Sequence, residues 1–226
     1  MLPVNDPVRD TGEFRRIQAR LREMPRARSM NEAARRGGNN SSGTRYPDDR
    51  DSRYPDDNSR LDPRRVEYPS ARFRAYTEGN LFRISVPENW REMNNGNEVT
   101  FAPEGAYGSV QGQFVFTHGV QVGTARAQSN NLQAATENYI KALAYSNPNI
   151  RQEGNYQRTN FGNRNGLGIT LSNISEATGR REVVSVMTTL LRNGDLLYVI
   201  FVVPQDEYTR YQNVFGQIAR NIEIGN

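Results

Sequence analysis

The chain has almost none of the side chains on which common metal and hydrolase sites depend. Its 226 residues include no cysteine and one histidine, His118. A zinc site takes about three or four ligands, drawn chiefly from cysteine and histidine. A serine or cysteine hydrolase normally activates its nucleophile with a histidine base. The sequence therefore argues against most hydrolytic chemistry, and we expect no catalytic residue, metal site or cofactor in this chain.

Apolar residues are scarce in one segment. Hydrophobic residues make up 35% of the chain, and residues 25–71 are instead rich in Arg, Asp, Asn, Ser, Gly and Pro. Such a composition buries too little apolar surface to fold, so we predict a disordered linker there. No run approaches the roughly 18 apolar residues of a membrane helix. No apolar stretch follows Met1 as in a signal peptide, so the export signal of an exported protein would lie upstream.

Basic charge is unevenly distributed and comes almost wholly from arginine. The net charge of +4 lies within residues 1–72, whereas residues 73–226 are balanced, and Lys141 is the only lysine. The arginine guanidinium binds phosphate through two hydrogen bonds. Nucleic acid is therefore an alternative partner. A GC-rich genome explains the same usage, and aspartates offset the arginines of the linker. We therefore do not expect nucleic acid to be the partner.

The N-terminal 24 residues contain an amphipathic pattern. Asp10 and Glu13 stand where a capping box would begin a helix over residues 10–24, and Pro25 ends it. An isolated helix of this length is marginal, so its apolar stripe needs a partner. We predict that partner contacts come from this stripe and from the tyrosines of a repeated Arg-Tyr-Pro-Asp-Asp motif in the linker, namely Phe14, Ile17, Leu21, Met24, Tyr46 and Tyr54.

Residues 72–226 have the pattern of a folded domain. The spacing predicts strands at 81–86 and 98–102, one or two strands within 110–122, and a helix over 131–145 with Leu132, Ala135, Tyr139, Ala142 and Leu143 on one face. Paired strands at 154–161 and 166–173 and a hairpin of 183–191 with 196–203 around Asn193-Gly194 follow. A last helix after Pro204 carries a stripe of Tyr208, Tyr211, Phe215, Ile218 and Ile222.

Hairpin connections imply an antiparallel sheet, and two amphipathic helices imply that at least one face of it is covered. We therefore predict an α+β sandwich at 72–226, preceded by a helix at 1–24 and a disordered linker at 25–71.

Several residues could carry chemistry, and each has a simpler structural interpretation. We interpret His118 as an exposed loop residue and Trp90 as a packing anchor. The acidic pair Asp206 and Glu207 complements the dipole of the last helix, so a hydrolase that uses only carboxylates is the least favoured alternative. The remaining candidates are interpreted as turn or bulge glycines (Gly105, Gly108 and Gly112) and as a solvated hairpin tip (Arg180 and Arg181).

The run Phe82-Arg83-Ile84-Ser85-Val86-Pro87-Glu88-Asn89-Trp90 resembles the opening of PsbP-like and Mog-like α+β domains. The run 197–204 and the closing Asn221-Ile222-Glu223-Ile224 are similar to the end of such a domain. Asp10-Thr11-Gly12-Glu13-Phe14 is similar to the helix that follows the protease domain in bacterial zinc metalloproteases of the HtpX and CAAX-prenyl-protease type.

This resemblance implies an exported or membrane-associated bacterial protein, with a periplasmic location. The chain lacks His-Glu-x-x-His, so no zinc ligand or general base of the family has a matching position. We therefore predict a non-catalytic accessory domain that binds a protease domain, in cis or in trans, and presents partners or substrates. The alternative is a stand-alone PsbP/Mog-like module that binds a ligand or a protein.

Overall fold

The computed structural model describes residues 61–225, and for Phe161 the backbone only. Two helices and a set of antiparallel strands make up this part of the chain. The helices are α1 (Leu132–Ser146) and α2 (Tyr208–Asn221), with a single 3₁₀ turn (Gln205–Glu207) before α2. The strands are β1 (Phe73–Glu78), β2 (Phe82–Pro87), β3 (Arg91–Asn95), β4 (Glu98–Ala102), β5 (Tyr107–Val110), β6 (Gln113–Phe116), β7 (Gly119–Ala125), β8 (Arg151–Gln152), β9 (Gln157–Phe161), β10 (Arg164–Ile174), β11 (Arg181–Leu190), β12 (Leu196–Pro204) and β13 (Glu223–Ile224).

An eight-stranded antiparallel sheet forms the centre of the domain. Its strand order is β3-β4-β7-β12-β11-β10-β8, and β9 also pairs with β10. All residues of β12 are buried, because β7 and β11 flank it and both of its faces are covered. The prediction of a central strand over 196–203 is thereby confirmed.

The two helices cover opposite faces of this sheet. Alternate side chains of β12 point to opposite sides: Val199 and Phe201 pack with α2, and Tyr198 and Ile200 pack with α1. A smaller sheet of order β1-β2-β13 adds residues such as Ile84 to the α2 side. The antiparallel α+β architecture predicted from the sequence is confirmed.

The helices differ from prediction at single positions. Asn131 caps α1, since its side chain accepts a hydrogen bond from the amide of Ala134. Ala142, predicted on the buried face of α1, is exposed. Tyr208, predicted to lie in the buried stripe of α2, is 37% exposed, because it stands in the first turn, where the helix has only begun to reach the core.

The hairpin connections follow turn chemistry. Leu191 and Asp195 close the predicted turn at Asn193-Gly194, with Leu191 N donating to Asp195 O over 2.8 Å. The turn between β9 and β10 places Gly162 and Asn163 at positive φ, 54° and 60°, which suits a tight antiparallel connection.

Residues 61–71 lie against the domain, although the sequence places them in the linker. Leu61 bridges Gly105, and Glu67 N donates to Glu104 O. Val66 packs on Tyr107 and its neighbours.

Candidate functional site

A groove opens between α1 and the edge of the central sheet. Asn147 and Pro148 end α1, because the residue before a proline is disfavoured in helical conformation. The chain then makes only two ladder pairs, with Gln152 opposite Leu171, before it leaves the sheet. The C-terminal half of α1 therefore lies beside an edge strand that is too short to fill the space beneath it.

The groove has an apolar floor and a polar rim. It encloses about 360 Å³, and it is lined by Ile140, Ala144, Ile150, Tyr156 and Leu171 with Glu137, Lys141 and Gln152. The side chains of Ile140, Ile150 and Leu171 are buried members of the α1 core. Volumes of small-molecule sites run from roughly 300 to 1,000 Å³, with mostly apolar walls and few polar groups. The groove fits the small end of that class.

Side-chain contacts hold α1 in place above the groove. Tyr139 stacks on Tyr198 with ring centroids 4.7 Å apart. Tyr198 donates to Glu98 over 2.8 Å. Thr136 and Thr188 share a buried hydrogen bond of 2.7 Å between their hydroxyls. These buried polar contacts fix the helix in one register, so the groove is a preformed feature of the fold.

The only histidine is buried at one end of the sheet, not exposed in a loop as predicted. His118 precedes β7 and is 1% exposed. Its Nε2 lies 3.3 Å from Glu207 Oε2 at the start of α2, and its ring contacts Tyr211 with centroids 5.4 Å apart. The prediction failed because Glu207 and Tyr211, which enclose the ring, come from a distant part of the sequence.

Arg180 also differs from the predicted solvated tip. It donates to both carboxylate oxygens of Asp206, at 2.6 and 2.7 Å, and to Glu207 at 2.8 Å. The pKa of Arg180 is raised by these hydrogen bonds in spite of partial burial, and Arg180 in turn holds the pKa of Asp206 below its usual value. Arg181 lies apart and pairs with Glu153. Asp206 and Glu207 thus hold Arg180 rather than facing an open cleft.

The hydrogen bonds of His118 are satisfied in both of its protonation states. Thr117 Oγ1 lies 2.9 Å from Nδ1 and 3.2 Å from the carbonyl of Ala106. In the neutral ring, Nε2–H donates to Glu207 and Nδ1 accepts from the Thr117 hydroxyl. In the charged ring, Nδ1–H donates to Thr117, whose hydroxyl then turns to Ala106.

Desolvation decides which state the fold prefers. Burial lowers the pKa of His118 and outweighs the neighbouring Glu207 carboxylate, which acts in the opposite direction; Arg180 lowers the pKa further. The folded chain therefore favours the neutral ring.

Glu182 is a second buried ionisable group near this end of the sheet. It is 3% exposed and accepts from Asn173 over 3.0 Å. Among residues 61–225, its other oxygen has no hydrogen-bond partner. Burial raises the pKa of Glu182, although the nearby Ser175 and Asn173 side chains and the charge of Arg180 act against the rise.

A second cleft, of about 480 Å³, lies near the end of α2 and is mainly polar. Arg83 and Arg220 line it, and Arg83 faces Glu223 at 3.9 Å. Arg220 stands in the last turn of α2, where a cation complements the helix dipole. Helix electrostatics account for that charge without a ligand.

The remaining sequence predictions have mixed outcomes. Trp90 is 1% exposed and packs edge-on against Phe215, which confirms the anchor. Gly105 and Gly112 lie at positive φ in turns, while Gly108 is buried within β5. The predicted partner contacts lie outside the described residues: Phe14, Ile17, Leu21, Met24, Tyr46 and Tyr54.

The described residues contain neither a cluster of metal-ligating side chains nor a helix that could span a bilayer. Within residues 61–225, no three His, Asp or Glu side chains lie close enough to hold a metal ion. No helix in the same range has both the length and the apolar character needed to cross a bilayer.

Comparison with known proteins gives a likeness of fold only. No family model matches the sequence, and no curated protein is detectably similar. Among solved structures, the chain is similar to cyanobacterial PsbP from Synechocystis (13% identity, TM-score 0.48, 68% of this chain and 93% of that one). It is also similar to the Ran-binding protein Mog1p of Saccharomyces cerevisiae (11%, TM-score 0.47, 69% and 96%). A third is LpqN of Mycobacterium tuberculosis, involved in cell envelope biogenesis (10%, TM-score 0.44, 69% and 91%).

Proposed function

We propose that the domain is a non-catalytic binding module and that the groove beside α1 is its binding site. The groove carries the proposal: it is an open, preformed, apolar-floored space on a rigid sheet, with few polar groups at its rim. Such sites are the usual places for small ligands or apolar parts of larger ones.

The contacts of His118, Asp206 and Glu207 support a non-catalytic role for these three groups. A general base must come within hydrogen-bond reach of the proton that it removes. The ring of His118 is enclosed by Thr117, Glu207 and Tyr211. Asp206 and Glu207 are engaged by Arg180. These groups are satisfied by one another and serve to fix α2 to the sheet.

Filling the groove tests the proposal. Ala144 lines the groove, whereas Ala142 lies on the exposed side of the same helix. Ala144→Phe should fill the space, and Ala142→Phe is the matched control. Nile red is a neutral apolar probe whose fluorescence increases when it binds an apolar site. We expect this increase with the unchanged chain and with Ala142→Phe, and a much smaller increase with Ala144→Phe. Equal fluorescence with both variants would show that the groove is not the site.

A finer proposal concerns the partner. We propose that the module serves a bacterial zinc metalloprotease in the periplasm. The support is the similarity of residues 10–14 to the helix that follows the protease domain in HtpX and CAAX-prenyl-protease relatives. The test is to express the chain with and without such a protease domain and to measure association and proteolysis. Absence of both binding and any effect on proteolysis would end this proposal and leave the binding module in place.

A further inference from the structure

The groove is lined by a cation, Lys141, that has no ion-pair partner among the described residues. From the start of α1 to the end of β9, the charged residues are Glu137, Lys141, Arg151, Glu153 and Arg158. Glu153 is neutralised by Arg181 at 2.7 Å. Within residues 61–225, no carboxylate forms an ion pair with Lys141, Arg151 or Arg158. Arg151 donates to the carbonyls of Pro148 and Ile150, and the charged residues that line the groove itself are Glu137 and Lys141.

The two charges on the groove rim differ in their engagement. Glu137 accepts a hydrogen bond from Gln133 over 3.1 Å. Lys141, one helical turn further on, is exposed and has no hydrogen-bond acceptor among the described residues. Its ammonium carries three donors, and its methylene stem can lie along the apolar wall. The rim thus offers an unsatisfied cation directly above an apolar floor.

Building on the proposed function, we infer that the groove binds an aliphatic monocarboxylate of the fatty-acid class. The chain would lie on Ile140, Ile150 and Leu171, and the carboxylate would meet Lys141. A volume of about 360 Å³ suits a small amphiphile, since it lies at the low end of the roughly 300–1,000 Å³ of ligand sites.

The first arm of the test varies the ligand on the full 226-residue chain, below micelle-forming concentrations. Affinity for hexanoate, octanoate and decanoate should rise about fourfold for each methylene buried and level off once the groove is full. At matched chain length, decanoate should bind about two- to fivefold more tightly than 1-decanol. Decyltrimethylammonium should bind least. Isothermal titration and Nile red displacement measure these affinities.

The second arm varies the protein. Lys141→Met keeps an apolar stem and should remove the preference for decanoate over 1-decanol, whereas Lys141→Arg should retain most of it. Arg192→Met removes an exposed cation in the β11–β12 turn, away from the groove lining, and should change nothing. Because residue 141 is on the surface, these variants should fold, and thermal melts check that they do.

The outcomes separate this inference from the proposed function. A carboxylate preference that disappears in Lys141→Met supports the inference. Equal binding of decanoate and 1-decanol, lost in Ala144→Phe, overturns the inference and leaves the groove as a binding site. Binding that Ala144→Phe does not reduce, or no binding of any of the probes, overturns both.

Discussion

The stability of the domain should fall in mild acid because of His118. Burial lowers the pKa of His118 in the folded chain, whereas the unfolded value stays near 6.5. Below pH 6.5 the His118 ring is therefore protonated in the unfolded chain but stays neutral in the folded chain. The contribution of His118 is intact above pH 6.5 and is lost as the pH falls towards the folded pKa.

The pH dependence of stability is limited by the uptake of a single proton on unfolding. The free energy of unfolding should decrease by at most about 1.4 kcal/mol per pH unit within that window. His118→Gln removes the titration. The variant should be less stable at pH 8, by about 1–3 kcal/mol, because the partners of the ring lose hydrogen bonds. Its deficit should shrink as the pH falls below 6.5.

The assay is urea denaturation followed by circular dichroism between pH 5 and 8. Proton NMR gives an independent measurement, since the ring of the sole histidine can be assigned without ambiguity. Parallel stability curves for the two proteins would mean that His118 does not change its proton affinity on folding. A deficit that grows in acid would refute the reasoning, because Glu207 would then dominate over desolvation.

Three further predictions concern neighbouring groups. Arg180→Met should raise the pKa of His118, because Arg180 lowers it; Arg181→Met, which removes only the pair with Glu153, should leave the NMR titration unchanged. Glu182 has a raised pKa, so the unchanged chain should lose stability relative to Glu182→Gln as the pH rises through that pKa, and a constant difference in urea denaturation across pH would contradict this. Gly119 lies at φ 138°, and a Cβ there would stand 2.2 Å from the carbonyl of Phe101. Gly119→Ala should thus cost more than about 2 kcal/mol in the same assay, whereas Gly154→Ala, with open space and no positive φ, should be near neutral; equal effects would show that the backbone adapts.

The elements that the sequence predicts best are those whose pattern is local. The run 196–203 is apolar throughout and became the central strand β12. The stripe Tyr211, Phe215 and Ile218 became the buried face of α2. Both depend on a local pattern, an unbroken apolar run in β12 and a helical spacing in α2, that needs no knowledge of distant partners.

The strands that cannot be predicted from the sequence are polar or short, and they form because they pair with neighbouring strands. All residues of β3 (Arg91–Asn95) are exposed or half-buried, so no alternation marks it as the edge strand of the sheet. β13 has only two residues, and it pairs with Phe82 and Arg83, which lie far earlier in the sequence. Strand propensity reflects such neighbours more than the residues themselves.

The groove depends on a juxtaposition that no single segment encodes. Its walls come from α1, from β8 and from Leu171 in β10, and it exists because β8 stops after two residues. Pro148 and Gly154, on either side of β8, are the local signals of that brevity. They indicate where the chain leaves the helix and the sheet, but they do not indicate that Tyr156 and Lys141 line the same groove.

His118 illustrates how a residue type can mislead when its surroundings are ignored. A lone histidine beside a glycine resembles a loop residue, yet the run 105–125 contains no Asp, Glu, Lys or Arg. In a chain with 24% charged residues, such a run favours burial, although Ser109 and residues 111–114 within it are exposed. This local signal argues against an exposed loop, but it does not separate His118 from the exposed residues of the same run. The carboxylate partner of His118 could not be predicted, because Glu207 reaches it only when β7 and the start of α2 meet at the same end of the sheet.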